Sequence, residues 1–258
     1  MSSGARAGAA REEMLAWVAC IGAVTAEALA ARERRSTASA RGRLLAAERE
    51  RLLVRGGPLR GRPCLYALTR RGLRTCGWEA LAPIRLSAAT AAHMIACAEV
   101  AVALERAYPE HRVTGEPELR LRERGHGAPL ASATLAGRGA GARLHRPDLV
   151  LWPRRAALPV AVEVELSLKA PRRLAEICRA WARCHRVAGV LYVVAPHVAD
   201  ALARAIERAG AERRIAAVAL ASIPCAPNPG EQACAQLRPC LPGPGAPAPI
   251  ARAITGDA

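Results

Sequence analysis

Hydrophobic positions in the first third of the chain recur at helical spacing. Over 11–21, Met14, Leu15, Trp17 and Val18 share one face, and Gly22 ends the segment. Thr25 stands where an N-cap is needed for a second helix running to about Ala31, with Ala28 and Leu29 inward. Ser36 stands likewise before a third helix over 37–51. Its inner side carries Ala40, Leu44 and Leu45; its outer side carries Thr37, Ser39, Arg41 and Arg43. The pattern then changes to short strands. Residues 52–54 predict one, a Gly- and Pro-rich turn over 56–63 holds Arg60 and Arg62, and 64–68 predict the return strand before a new helix start at Thr69.

Beyond residue 84, Ser87 is the cap expected for a long helix to about Ala107, closed by Pro109. Met94, Ile95, Ala98, Val102 and Leu104 form its apolar face. Segments 119–121, 149–152 and 160–166 have strand character. In the last of these, Glu163 and Glu165 lie two apart and share one face, opposite Val160, Val162, Val164 and Leu166. A basic helix over 170–186 follows. Residues 189–194 are continuously apolar, as in a strand buried on both faces. A helix over 198–209 and a strand over 215–220 complete the series. The order is α-β-β-β-α-β with an α-β extension, which makes the chain α/β (α+β) in class.

Composition divides the chain into three parts. Residues 1–83 and 84–222 each carry a net charge of +8, whereas 223–258 is neutral and holds eight prolines, so this tail is expected to be disordered. No internal repeat is present. The overall +16 favours a polyanionic partner such as double-stranded DNA, with a solvated arginine surface as the alternative that charge alone leaves open. Of 38 basic residues only Lys169 is a lysine, and Phe is absent, a bias expected of a GC-rich genome. Nine cysteines without one CxxC pair exclude a paired-thiolate zinc motif and fit a reducing compartment. Cys20 and Cys97, on apolar helix faces, are expected as small core residues. No apolar run reaches the roughly 18 residues of a membrane span, and 1–10 lack a signal-peptide core. A cytoplasmic protein with no membrane partner is the expectation.

The candidate chemistry lies in the second part. Arg146-Pro147-Asp148 opens the 149–152 strand, and Glu163-Val164-Glu165 lies in the next, with Lys169 four residues further on. Two neighbouring strands can bring Asp148 and Glu163 together as oxygen ligands for Mg²⁺ or Mn²⁺, with the Val164 carbonyl as a further ligand. Glu99 and Glu105 lie on the preceding helix, and Glu118 is placed at the start of a strand. Arg172 and Arg173 are placed to hold a phosphate, and His145 lies three residues before Asp148. The glycine-rich stretch from Gly137 to Gly141 lacks the GxGxxG spacing and is expected as a loop.

Three helices followed by a hairpin with Arg60 and Arg62 resemble a winged helix-turn-helix domain. That resemblance implies DNA contacts from Arg41, Arg43, Arg60 and Arg62. The Pro-Asp and Glu-Val-Glu motifs in their α-β-β-β-α-β order resemble the PD-(D/E)xK nuclease superfamily, whose lysine normally occupies the position of Glu165; here Lys169 is its displaced counterpart. Together with His93 near the start of the long helix, the combination resembles the actinobacterial replication-relaxation family over about 12–222. This implies a winged-helix domain over 1–83 and a restriction-endonuclease-like domain over 84–222. The family is encoded on plasmids and integrative elements, and its fold is similar to that of metal-dependent relaxases of the C type. Two readings follow. In one, the protein is an Mg²⁺-dependent nickase or relaxase at a plasmid origin, with Asp148, Glu163, Glu165 and Lys169 catalytic and Asp148, Glu163 and Glu99 on the metal. In the other it is a non-enzymatic origin-binding or transcription-regulatory protein with an inactive nuclease-like domain.

Overall fold

The computed structural model describes residues 3–135, 143–154 and 157–222. The Pro-rich tail and the stretch from Gly137 to Gly141 lie outside the described residues. The fold is mixed α/β, with two sheets that share one core and a separate two-stranded hairpin.

The N-terminal part runs α1 (Ser3–Ile21), β1 (Ala23–Thr25), α2 (Ala26–Glu33), α3 (Thr37–Arg49), β2 (Leu53–Gly56), β3 (Leu65–Leu68) and α4 (Arg70–Thr75). Its strands form an antiparallel sheet in the order β1-β3-β2. Three hydroxyl caps start the helices. Thr25 accepts from the Ala28 N–H, Ser36 from Ser39 and Thr69 from Gly72. α3 ends sooner than its pattern predicts because Arg51 adopts a left-handed backbone at φ 59° and turns the chain into β2. α1 begins eight residues before the predicted start, in a stretch of Ala, Gly and Arg with no apolar periodicity to announce it.

The second part runs α5 (Ala88–Ala107), β4 (His111–Gly115), α6 (Glu116–His126), β5 (Ala133–Leu135), β6 (Arg143–His145), β7 (Leu149–Pro153), β8 (Val160–Glu165), α7 (Pro171–Ala182), β9 (Gly189–Val194), α8 (Pro196–Ala209) and β10 (Ile215–Ala219). The five-stranded sheet has the order β10-β9-β8-β7-β4, with β4, β7 and β8 antiparallel and β8, β9 and β10 parallel. β5 and β6 pair as the hairpin.

One expectation is overturned here. Residues 119–121 are helical, inside α6, and the first strand of the sheet is His111–Gly115. Pro117 in the first turn and the acidic Glu116 and Glu118 beside the helix N-terminus favour a helix start at that point. β4 escaped detection because Val113 is its only large apolar residue; it is an edge strand paired to β7. Glu118 is therefore a helical residue, not the head of a strand.

The sheet has two covered faces, and strand alternation assigns each residue to one of them. Leu149, Leu151, Val162, Val164, Leu191 and Val193 pack toward α5 and the N-terminal helices; Val150, Ala161, Val190 and Tyr192 pack toward α7 and α8. Glu163 shares parity with Ala161 and so points toward α7. α5 is the one helix among the described residues with the length and apolar composition of a membrane span, and it is mostly buried in this core. Gly115 ties the two parts together. A Cβ there would lie 2.5 Å from the carbonyl oxygen of Cys20 in α1, so only glycine lets β4 approach that helix end.

Candidate functional site

The strands β7 and β8 are paired at Leu149↔Val162, and just past that pair Asp148 turns its side chain across to β8. Its Oδ2 accepts the Val164 N–H at 2.8 Å, and its Oδ1 lies 3.0 Å from His93 Nε2, carried on the first turns of α5. One turn along α5, Cys97 Sγ lies 3.4 Å from the same His93 nitrogen. On β8, Glu163 is only 6 % exposed. Its Oε1 lies 2.7 Å from His145 Nε2 and accepts the Trp181 indole N–H at 3.1 Å. Glu165, 4 % exposed, forms an ion pair with Lys169. The site is thus two carboxylate–imidazole pairs on adjacent strands, flanked by a carboxylate–ammonium pair.

Each partner has an electrostatic reason. Burial raises the Glu163 pKa above the usual carboxylate range, opposed by His145. Burial disfavours the His145 cation, but the charge and hydrogen bond of Glu163 outweigh it and hold the imidazole pKa up. The Asp148 hydrogen bond raises His93 in the same way, against the effect of burial. Burial lowers Lys169, with Glu163 and Asp148 pulling the other way. These opposed shifts concentrate exchangeable protons in one cluster of side chains, a feature of functional sites as well as of buried ion pairs.

Of the predicted site residues, Asp148, Glu163, Glu165 and Lys169 come together. Glu99 does not share their helix face: at about 100° per residue it is displaced roughly 160° around α5 from Cys97. His93 and Cys97 occupy the face that meets Asp148. Glu105 pairs with Arg32 at 3.0 Å, in the N-terminal part. Glu118 is buried and paired with Arg112, on the wall of a groove of about 490 Å³ between α1 and β4 that includes neither Asp148 nor Glu163. Arg172 is exposed at the start of α7. Arg173 pairs with Glu176 at 2.8 Å, close enough to Lys169 and His145 to disfavour their charged forms.

In the N-terminal part, Arg60 and Arg62 are exposed in the β2–β3 connection and make no ion pair among the described residues. Arg41 is exposed on α3, 3.5 Å from Glu27. Arg43 turns inward instead: it pairs with Glu33 and donates to the Ala10 carbonyl at 2.6 Å.

The donor set does not fit an all-oxygen magnesium cage. The side chains that meet Asp148 Oδ1 offer nitrogen and sulfur, His93 Nε2 and Cys97 Sγ, and Glu163 Oε1 is taken up by His145 and Trp181. Mg²⁺ demands near-octahedral oxygen ligands.

No family model, curated protein or solved structure matches the chain. The site therefore stands on its own geometry. Sequence reasoning missed Trp181 and the role of Cys97. The signal for Cys97 was present, since His93 and Cys97 are four apart on a helix and must share a face. The Trp181–Glu163 contact had no local signal, because it joins a helix to a strand 18 residues upstream.

Proposed function

We propose that this protein binds DNA through an N-terminal winged helix and acts on a phosphodiester through a nuclease-like core, as a replication-relaxation protein of a plasmid or integrative element. The observation that carries the reading is the meeting of Asp148, Glu163 and Lys169 at one end of β7 and β8. The α5-β4-β7-β8-α7-β9 order supports a PD-(D/E)xK-like core, with α6 and the β5–β6 hairpin inserted after its first strand. Three helices, a β1-β3-β2 sheet and exposed arginines in the β2–β3 connection support a winged helix.

Within this reading the chain's own residues have separate tasks. The Val164 N–H and His93 orient Asp148. Trp181 and His145 hold Glu163 against the desolvation that would neutralise it. Lys169 brings a positive charge to the edge of the cluster, where a phosphate would lie, and Arg172 is the adjacent exposed cation. Nicking of supercoiled plasmid, with Mg²⁺, Mn²⁺ and Zn²⁺ supplied in turn, is the direct test. DNA binding with no nicking under any ion would favour the origin-binding or regulatory reading. One feature supports that alternative: Glu165, where the superfamily carries its lysine, is tied up by Lys169.

For the wing, Arg60→Ala with Arg62→Ala is expected to weaken duplex binding and lower the salt slope by about two units, about one for each phosphate that is no longer neutralised. Arg43→Ala is expected to cost stability instead, because its guanidinium serves Glu33 and the Ala10 carbonyl. Affinity and salt slope unchanged in the double wing variant would exclude the wing from DNA binding.

A further inference from the structure

We propose that His93, Cys97 and Asp148 form a tetrahedral site for a zinc-class divalent ion, with its fourth position open to solvent beside the partly exposed His93 and Asp148 side chains. The three ligand atoms, His93 Nε2, Cys97 Sγ and Asp148 Oδ1, all lie within 4.8 Å of one another. A tetrahedral ion with bonds of about 2.0–2.2 Å to nitrogen and oxygen and about 2.3 Å to sulfur separates its ligands by roughly 3.4–3.6 Å. The observed His93–Asp148 separation is 3.0 Å and the Cys97–His93 separation 3.4 Å, so small rotations of the side chains admit the ion.

The scaffold is already set for it. His93 and Cys97 are one turn apart on α5, a helix packed through most of its length in the core, so their spacing is fixed by the backbone. Asp148 is held from behind, its second oxygen accepting the Val164 N–H, as a metal-ligating carboxylate is usually held by an outer hydrogen bond. Thiolate and imidazole select a borderline ion over magnesium or calcium. The charge also closes. On binding, the Cys97 thiol proton leaves to solvent, the His93 Nε2 proton that faces Asp148 is released or passes to Nδ1, and thiolate plus carboxylate neutralise the divalent ion while His93 binds through Nε2 as a neutral imidazole. A net-neutral centre suits a position where Cys97 is only 7 % exposed. Three protein ligands and one open position is the arrangement of catalytic rather than structural zinc sites.

The site shares Asp148 with the proposed phosphodiester chemistry, but ion binding requires neither DNA nor cleavage and is measured without them. The full chain, stripped with a chelator, is titrated with Co²⁺, whose thiolate charge-transfer absorption in the near ultraviolet reports sulfur ligation. A background with Cys64, Cys225, Cys234 and Cys240 replaced by Ser removes the one exposed thiol among the described residues and the three thiols of the C-terminal stretch. The expected result is a saturable thiolate band at one equivalent, displaced by Zn²⁺ and untouched by excess Mg²⁺. Cys97→Ser should abolish the band, and His93→Gln should weaken binding by at least about 100-fold. Zn²⁺ should raise the melting temperature of the parent and not that of either variant. Because His93→Gln sits on a half-exposed residue, it keeps the test sound if Cys97→Ser folds poorly. No thiolate band in the parent, or an undiminished band in both variants, would overturn the proposal. Ion binding without nicking leaves this site standing and removes the nuclease reading; nicking with Mg²⁺ and no Co²⁺ or Zn²⁺ binding does the reverse.

Discussion

Trp181→Ala is expected to lower the unfolding free energy by about 3–5 kcal/mol, the range for removing a large aromatic from a packed core. The indole is fully buried between α7 and the sheet, among the largest side chains in that core. It also meets His145 edge-to-face, with centroids 5.7 Å apart, and gives its N–H to Glu163. Truncation therefore opens a cavity and removes one of the donors on a buried carboxylate. Trp181→Phe separates the two effects. It keeps most of the ring and loses only the N–H, so a smaller loss of about 1.5–3 kcal/mol is expected, the scale of a hydrogen bond to a charged group. The linked readout is protonation. With a donor gone, Glu163 should bind its proton still more readily, so the stability lost as pH rises from the ordinary carboxylate range through the raised folded pKa should grow. Urea unfolding followed by circular dichroism measures all of this. A loss under about 1 kcal/mol for Trp181→Ala would mean that α7 does not seal this face of the sheet.

The balance between what the sequence revealed and what it concealed follows from contact distance along the chain. β8 and β9 were legible because alternation and a continuous apolar run are local properties, and α5 was legible from its apolar face and its closing Pro109. The closeness of Asp148 to Glu163 was legible because adjacent antiparallel strands bring residues a hairpin apart together. β4 was not, since its strand character comes from pairing to β7, some 38 residues later in chain order, rather than from its own side chains. The inward turn of Arg43 was hidden for the same reason. It borders Leu44 on α3, and its partner Glu33 comes within reach only once α2 and α3 have packed. Among the site residues, those fixed by strand spacing were found; the helix spacing that puts His93 and Cys97 on one face was present but unread, and the Trp181 donor, supplied across the core, was seen only in the fold.

On the nuclease reading, Lys169→Arg should reduce nicking by about 10²-fold or more while leaving the fold intact. The lysine is the only one among 38 basic residues, and it sits four residues after Glu165, with which it pairs. An arginine keeps the positive charge and can keep that pair, so stability should change by no more than the roughly 0–1 kcal/mol typical of a partly exposed ion pair. What it cannot keep is the compact, rotatable ammonium. The guanidinium is planar, longer and effectively never deprotonated, whereas burial lowers the Lys169 pKa and makes its proton easier to release. A group that positions a nucleophile or stabilises developing phosphate charge is worth about 10²-fold or more, and that contribution depends on placing the charge within a fraction of an ångström. Lys169→Met removes the charge altogether and leaves Glu165 buried without its ammonium, so it should lose stability as well as nicking. The comparison is therefore decisive on the lysine's task. Loss of nicking in both variants, with stability lost only in Lys169→Met, assigns the ammonium to the chemistry. Full nicking in Lys169→Arg would reduce Lys169 to the counter-ion of Glu165 and take it out of the mechanism.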